Sequence, residues 1–298
     1  MKNRFILLSF FLITIQFAYA NPVRKNRKGN GPYFYARAEG AYNLKMASMS
    51  AESRTTTSTG GAAPVTTFQS VPFSLGSGIT AGVAGGYMFN NNIGFELNLS
   101  YLIGSAQTLT NNSTTNSAGT NSTLETYTAN MFIVNPMLVL QVHTGGAMSV
   151  YTRFGPVIGL APTIAAENTS IALLDTNGSG KLAPITTIEK RTSSGGIALG
   201  FKAAGGVIFE VSPTVAINIE INYMALSYAP DQEILTSSKT GERNNLTGLT
   251  VSQTQTSYVD SYSTATVSDP TQPQQALKLY YPFSNLGLQA GIRISFGR

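Results

Sequence analysis

The clearest pattern in the chain runs from Ile93 to Tyr101. Ile93, Phe95, Leu97, Leu99 and Tyr101 alternate with Gly94, Glu96, Asn98 and Ser100. Successive side chains of a strand point to opposite faces, so this stretch predicts a strand with one apolar and one polar face. The closing stretch, Leu286 to Phe296, repeats it: Leu, Leu, Ala, Ile, Ile and Phe on one face, Gly, Gln, Gly, Arg and Ser on the other. Six further segments share the period: 33–44, 78–89, 127–142, 149–160, 196–211 and 215–228. The segment 127–142 is the least clear, because both its faces are apolar. Its outward set is read as Phe132, Val134, Pro136, Leu138 and Leu140.

The eight strands are joined by connections that alternate long, short, long, short, long, short, long. The short ones are turn-forming: Asn90-Asn91-Asn92, Thr144-Gly145-Gly146 and Ser212-Pro213-Thr214. The long ones, about 45–72, 107–122, 165–192 and 229–277, are rich in Ser, Thr, Asn and Gly and show no period. Asp175–Gly178 inside the third is a hairpin-type turn signal. Within the fourth, the types around Tyr258, Val259 and Tyr262 favour strand. A hairpin spanning the membrane there would raise the count to ten strands. Short periplasmic turns, long extracellular loops and an even number of antiparallel strands define a transmembrane barrel. The expected fold is therefore an all-β, eight-stranded antiparallel up-and-down transmembrane β-barrel, apolar outside and polar inside. A soluble periplasmic barrel with its apolar face inward shares the alternation and stays open at this point.

The first twenty residues change where such a barrel would reside. Lys2 and Arg4, an apolar run from Phe5 to Phe17 and Ala18-Tyr19-Ala20 make an export signal, too short to span a membrane as a helix. The organisation expected is a signal peptide over 1–20, a periplasmic tail over 21–32 and the barrel over 33–298. Charged residues are only 11% of the chain, against roughly 25% in soluble domains. The formal charge of +5 loses two with the signal, and the basic run Arg24–Lys28 lies in the tail. No basic stripe with stacking aromatics appears, so nucleic acid is not an expected partner. With no cysteine, the chain has neither a disulfide framework nor a lipid anchor on cysteine.

Two residue sets follow from the topology. Outward Phe34, Phe89, Phe209 and Phe296 fall near the periplasmic side, and outward Tyr42, Tyr101 and Tyr223 toward the outer side. Two aromatic belts at the interfaces are expected of a membrane barrel. The inward charges are Arg37, Glu39, Glu96, Arg153, Lys202, Glu210, Glu220 and Arg293. An eight-stranded barrel is just wide enough for side chains to fill, and unpaired buried charge is costly. These eight are read as a lumenal ion-pair network that plugs the barrel. The alternative is the constriction of a narrow passive, porin-like channel.

These features resemble the small eight-stranded outer-membrane β-barrel family, OmpA transmembrane-domain and OmpX-like. The resemblance rests on the export signal, four polar loops against three tight turns, and the ending Gly291-Ile292-Arg293-Ile294-Ser295-Phe296. That ending is similar to the signal read by the outer-membrane assembly machinery, from which Gly297 and Arg298 depart. The resemblance implies the cell outer membrane of a Gram-negative bacterium, outer-membrane lipid and the assembly machinery as partners, and a monomer. No periplasmic domain is expected after the barrel, and wall anchoring is not implied.

Catalysis is not expected. The lone histidine, His143, sits at a periplasmic turn, and no thiolate or multi-histidine metal site can be built. Gly178-Ser179-Gly180-Lys181 lacks the upstream glycine of a phosphate loop, and Asp175-x-Asn177-Gly178 is only a fragment of a calcium loop. No cofactor is assigned. Contact function is expected in the four long loops, as a structural or adhesion-like role whose extracellular ligand is unknown.

Overall fold

The computed structural model describes residues 31–46, 49–58, 65–116, 119–174, 182–263 and 269–296. The expected export signal over 1–20, most of the expected tail, the turn signal Asp175–Gly178, the Gly178–Lys181 fragment and the final Gly297 and Arg298 lie outside the described residues.

Eight strands pair antiparallel around a closed ring: β1 (Tyr33–Lys45), β4 (Gly78–Met88), β5 (Ile93–Gly104), β7 (Gly119–Gly145), β8 (Met148–Leu174), β10 (Ala198–Glu210), β11 (Val215–Tyr228) and β17 (Asn285–Phe296). β17 pairs back onto β1, which leaves no edge of the ring exposed to lipid. Among the described residues the fourth loop adds no spanning hairpin.

The register fixes the barrel's dimensions. A step from strand to strand runs Phe34, Tyr87, Phe95, Leu138, Phe154, Ala203, Tyr223, Leu286 and returns to β1 at Leu44, ten residues beyond its start. With a rise of about 3.3 Å per residue and strands about 4.8 Å apart, that stagger tilts the strands by about 40°. The backbone radius is then about 8 Å, and each residue climbs about 2.5 Å along the axis.

The faces are those of a membrane barrel. Leu288 (61%), Ile292 (55%) and Ile219 (45%) are exposed, whereas Arg293 (5%) and Glu220 (1%) are buried inside. On the heights just given, Phe34, Phe209 and Phe296 lie within about 4 Å of one level, and Tyr42, Tyr101 and Tyr223 roughly 20 Å above it. Phe89 caps the lower level through a ring contact with Tyr87, which itself meets Phe34.

Above the membrane the chain departs from expectation. The long polar connections are largely strand. β2 (Met49–Ser58) and β3 (Val65–Phe73) form a hairpin, and β6 (Gln107–Asn116) pairs with β7. β7 and β8 run on together far past the barrel, joined by β9 (Ala183–Ser194) and β12 (Gln232–Thr240). β13 (Arg243–Asn244), α1 (Val251–Thr254), β14 (Gln255–Val259), β15 (Gln274–Leu277) and β16 (Tyr281–Pro282) complete the fourth loop. The strand types noted around Tyr258 and Val259 fall in β14, and Tyr262 lies beyond it. Thr-rich strands wetted on both faces carry no hydrophobic period, so alternation cannot reveal them.

The membrane edge is sharp on this side. Outward Phe132 and Leu160 pair with each other, and the next outward row reads Asn130, Thr163, Ser194 and Gln232 across β7, β8, β9 and β12. Between them β8 carries one extra residue, Ala161, at φ 47°. This bulge bends the projecting sheet where the chain leaves the hydrocarbon.

Candidate functional site

The lumen is built in layers. At mid-height five charged side chains form one cluster. Arg37 Nη2 and Arg153 Nη1 share Glu96 Oε1 at 2.7 and 2.5 Å. Arg153 grips Glu220 with two nitrogens, Nε to Oε2 at 2.9 Å and Nη2 to Oε1 at 2.5 Å. Its Nη2 also reaches Glu39 Oε2 at 3.3 Å. Arg37 Nε lies 2.9 Å from Glu39 Oε2, but its N–H is not aimed at that oxygen, so this contact is ionic only. The phenols of Tyr35 and Tyr151 donate to Glu96 and Glu220, at 2.9 and 2.6 Å, and the Asn98 amide donates to Glu39 at 2.6 Å. Two guanidinium groups thus face three carboxylates. All five side chains are at most 4% exposed.

The other three inward charges stand apart, and the barrel's tilt explains why. The five clustered residues lie within roughly 5 Å of one another in height, whereas Arg293 is about 5 Å below their centre, Lys202 about 8 Å above and Glu210 about 12 Å below. Arg293 stacks over the Tyr35 ring, 3.7 Å from its centroid, and donates to Gln141 and to the Tyr33 hydroxyl. Lys202 donates to Gln289 Oε1 at 3.4 Å. Glu210 lies at the tight-turn end, 3.9 Å from His143, and both are partly exposed. A single network of all eight charges is therefore not what forms. Face parity groups them; height separates them.

Small residues opposite make the room. β4 presents Thr80, Gly82, Ala84 and Gly86 inward, and a Cβ on Gly86 would sit 2.2 Å from the Tyr35 ring. The layer above the cluster is of amides: Asn98, Asn135, Asn222 and Gln289 are all buried. Asn98 Oδ1, Asn135 Oδ1 and Gln289 Nε2 have no hydrogen-bond partner within the chain, so this layer is polar but incompletely paired.

The outer end is closed by an apolar cap. Leu102, Met131, Ile133, Val157, Met224, Leu226 and Tyr228 project from the wall and meet Phe73, Leu75 and Phe283 from the roots of the first and fourth loops. The roots are latched together. Leu75 N donates to Pro282 O at 2.8 Å, Ser74 Oγ to Ser284 O at 2.6 Å, and Asn285 Nδ2 to Gly76 O at 2.9 Å. Phe283 N is tied to the wall at Leu226 O, 2.8 Å away. A Cβ on Gly76 would lie 2.0 Å from Phe283 O, so the latch closes only around glycine. The cap accounts for the two apolar faces of the 127–142 segment. Phe132 and Leu138 face lipid as expected, while Met131 and Ile133 belong to the cap.

Above the cap the projecting sheet's inner face carries tyrosines and acids. Tyr127 donates to Glu125 at 2.7 Å, and Tyr258 to Glu233 at 3.1 Å. Arg191 reaches Glu233 and Glu189, both at 3.3 Å. Burial, helped by Glu233 and Glu125, pushes the Tyr281 phenol up to about 12. Among the described residues no group of three or more potential metal ligands occurs.

A family model described as an outer membrane protein β-barrel domain matches residues 40–252. Among solved structures, the crystal structure of Neisserial surface protein A (NspA) is similar. It shares 11% identity and a TM-score of 0.38, covering 89% of this chain and 99% of that one. No curated protein matches.

Proposed function

Because this chain belongs to the outer-membrane β-barrel family, we propose that it is a sealed, non-catalytic scaffold that holds an extracellular β-sheet for surface contact. It resides in the outer membrane. The observation that carries the reading is the latched apolar cap, which fills the outer mouth above a buried cluster of two guanidinium groups and three carboxylates. A water-filled pore needs a continuous polar path, and an apolar constriction opposes conduction by dewetting. The long loops continue the wall upward as paired strands, the form in which a rigid scaffold presents a binding surface.

A passive channel is the second reading, favoured by the polar amide layer with its unpaired buried atoms. It requires the cap to open. Planar-bilayer recording separates the two: the sealed scaffold gives no steady single-channel current, and a reproducible conductance overturns it. Contact is tested by expressing the chain in non-adherent cells. Attachment to surfaces or other cells should rise, and should fall back when residues 232–277 are replaced by a short turn.

A further inference from the structure

The upper lumen holds a charge that the cluster below it does not answer. Lys202 is 7% exposed, and its ammonium donates to a neutral partner, Gln289 Oε1, at 3.4 Å. Among the described residues no carboxylate forms an ion pair with it. Gln289 is 2% exposed and accepts at that same oxygen from Asn222 Nδ2 at 3.3 Å. Two donors on one oxygen fix the amide's orientation, so its other end is the NH2 group, and that nitrogen has no partner within the chain. A buried ammonium therefore stands beside a buried amide whose own donor is unsatisfied.

We propose that this corner of the lumen seats one monovalent anion of chloride size, between Lys202 Nζ and Gln289 Nε2. The charge balance asks for it. Four buried cations, Arg37, Arg153, Lys202 and Arg293, face three buried carboxylates, Glu39, Glu96 and Glu220. Glu210 stands apart at the partly exposed turn end, beside His143. The buried lumen thus carries one excess positive charge, and uncompensated charge is costly there. That excess is local to Lys202. The five-residue cluster, about 8 Å below it, has one excess negative charge, which Arg293, lower still, balances. The donors are of the right kind. An ammonium and an amide N–H offer hydrogen bonds to an anion and nothing to a cation. The unpartnered acceptors of this layer, Asn98 Oδ1 and Asn135 Oδ1, belong to β5 and β7, across the ring from β17. Small neighbours leave room. Ala41 faces Gln289 across β1 and β17, and Ala204 is the next inward residue below Lys202, so methyl groups flank the pair. The anion site rests on the lumen alone and stands or falls separately from the surface-contact reading.

The test uses the purified protein and two readouts. Urea melts in lipid vesicles are run in sodium chloride and in sodium gluconate at equal ionic strength, gluconate being too bulky for the corner. Above the dissociation constant, each tenfold rise in chloride should multiply the wild-type folded-to-unfolded ratio by about ten. Lys202→Met removes the excess charge at similar side-chain length, and should bring the two salts to within about twofold of each other. Gln289→Glu supplies a carboxylate in the anion's place, and should likewise lose the chloride response. Crystals grown in bromide give the location. The wild type should show an anomalous peak within hydrogen-bond reach of Lys202 and Gln289, and Lys202→Met should show none there. The proposal is overturned if the wild type melts alike in both salts, if either variant keeps the wild-type chloride response, or if bromide leaves no peak at the pair.

Discussion

Arg153→Met tests the lumenal cluster at its centre. Arg153 is fully buried and touches Glu39, Glu96 and Glu220. Removing it leaves Arg37 alone against three carboxylates, changing the cluster from one excess negative charge to two. Breaking a buried pair from one side costs about 3–5 kcal/mol, because the stranded charges have no water to return to. The chain has no Trp, so urea unfolding in lipid vesicles is best followed by far-ultraviolet circular dichroism. With a denaturant slope of roughly 3 kcal/mol per molar, the midpoint should fall by about 1–1.7 M. Adding Glu220→Gln restores a single excess negative charge. The double variant should then be less impaired than the sum of its parts, by about 1–3 kcal/mol of coupling. Conductance should stay absent, since the cap is untouched. An unchanged midpoint for Arg153→Met would mean that the cluster is solvated, and the sealed-lumen argument would lose its lower half.

Other expectations follow from single features. Gly76→Val drives a side chain into the Phe283 carbonyl; the latch should open, with intermittent current in planar bilayers where the wild type is silent. Ala161→Val places a β-branched residue at positive φ and should cost about 1–2 kcal/mol in urea melts, whereas Ala161→Gly should be neutral or slightly stabilising. Tyr281 ionises at about 12, above its ordinary 10.0, so its contribution is complete below pH 10 and lost as pH rises from about 10 to 12. Melts of the wild type should therefore weaken across that window, and Tyr281→Phe should flatten the slope. In intact cells, protease should cut within the long loops but not at Asn90–Asn92 or Ser212–Thr214.

Much of the membrane part was legible because lipid and lumen impose a strict period of two. From Ile93 to Tyr101 β5 alternates apolar and polar residues, and its outward and inward sets there are those read from the chain; Leu102, on the inward face, already belongs to the cap. The face assignment of β11 and β17 likewise needed nothing beyond parity. Height did not come with it. Lys202 and Glu210 share a face with Arg153, yet only the stagger of ten residues around the ring reveals that neither reaches the mid-height cluster. β7 looked ambiguous for a physical reason: its inner residues are polar at Asn135 but apolar at Met131 and Ile133, where the lumen changes from amides to cap. The loop strands escaped notice because a Thr- and Ser-rich sheet with water on both sides has no apolar period to detect. Phe73, Leu75 and Phe283 were the available signal for the cap. They are apolar residues at the roots of polar loops, with no lipid to face.

The most direct measurement is a single-cysteine spin-label scan along β5, from Ile93 to Ile103, in a chain that has no native cysteine to remove. Collision with oxygen, which concentrates in hydrocarbon, reports lipid contact at each site. The account predicts maxima at 93, 95, 97, 99, 101 and 103 and minima between them, with low access for a water-soluble relaxant at 96 and 98. The opposite phase, or high access of that relaxant at 96 and 98, would contradict it.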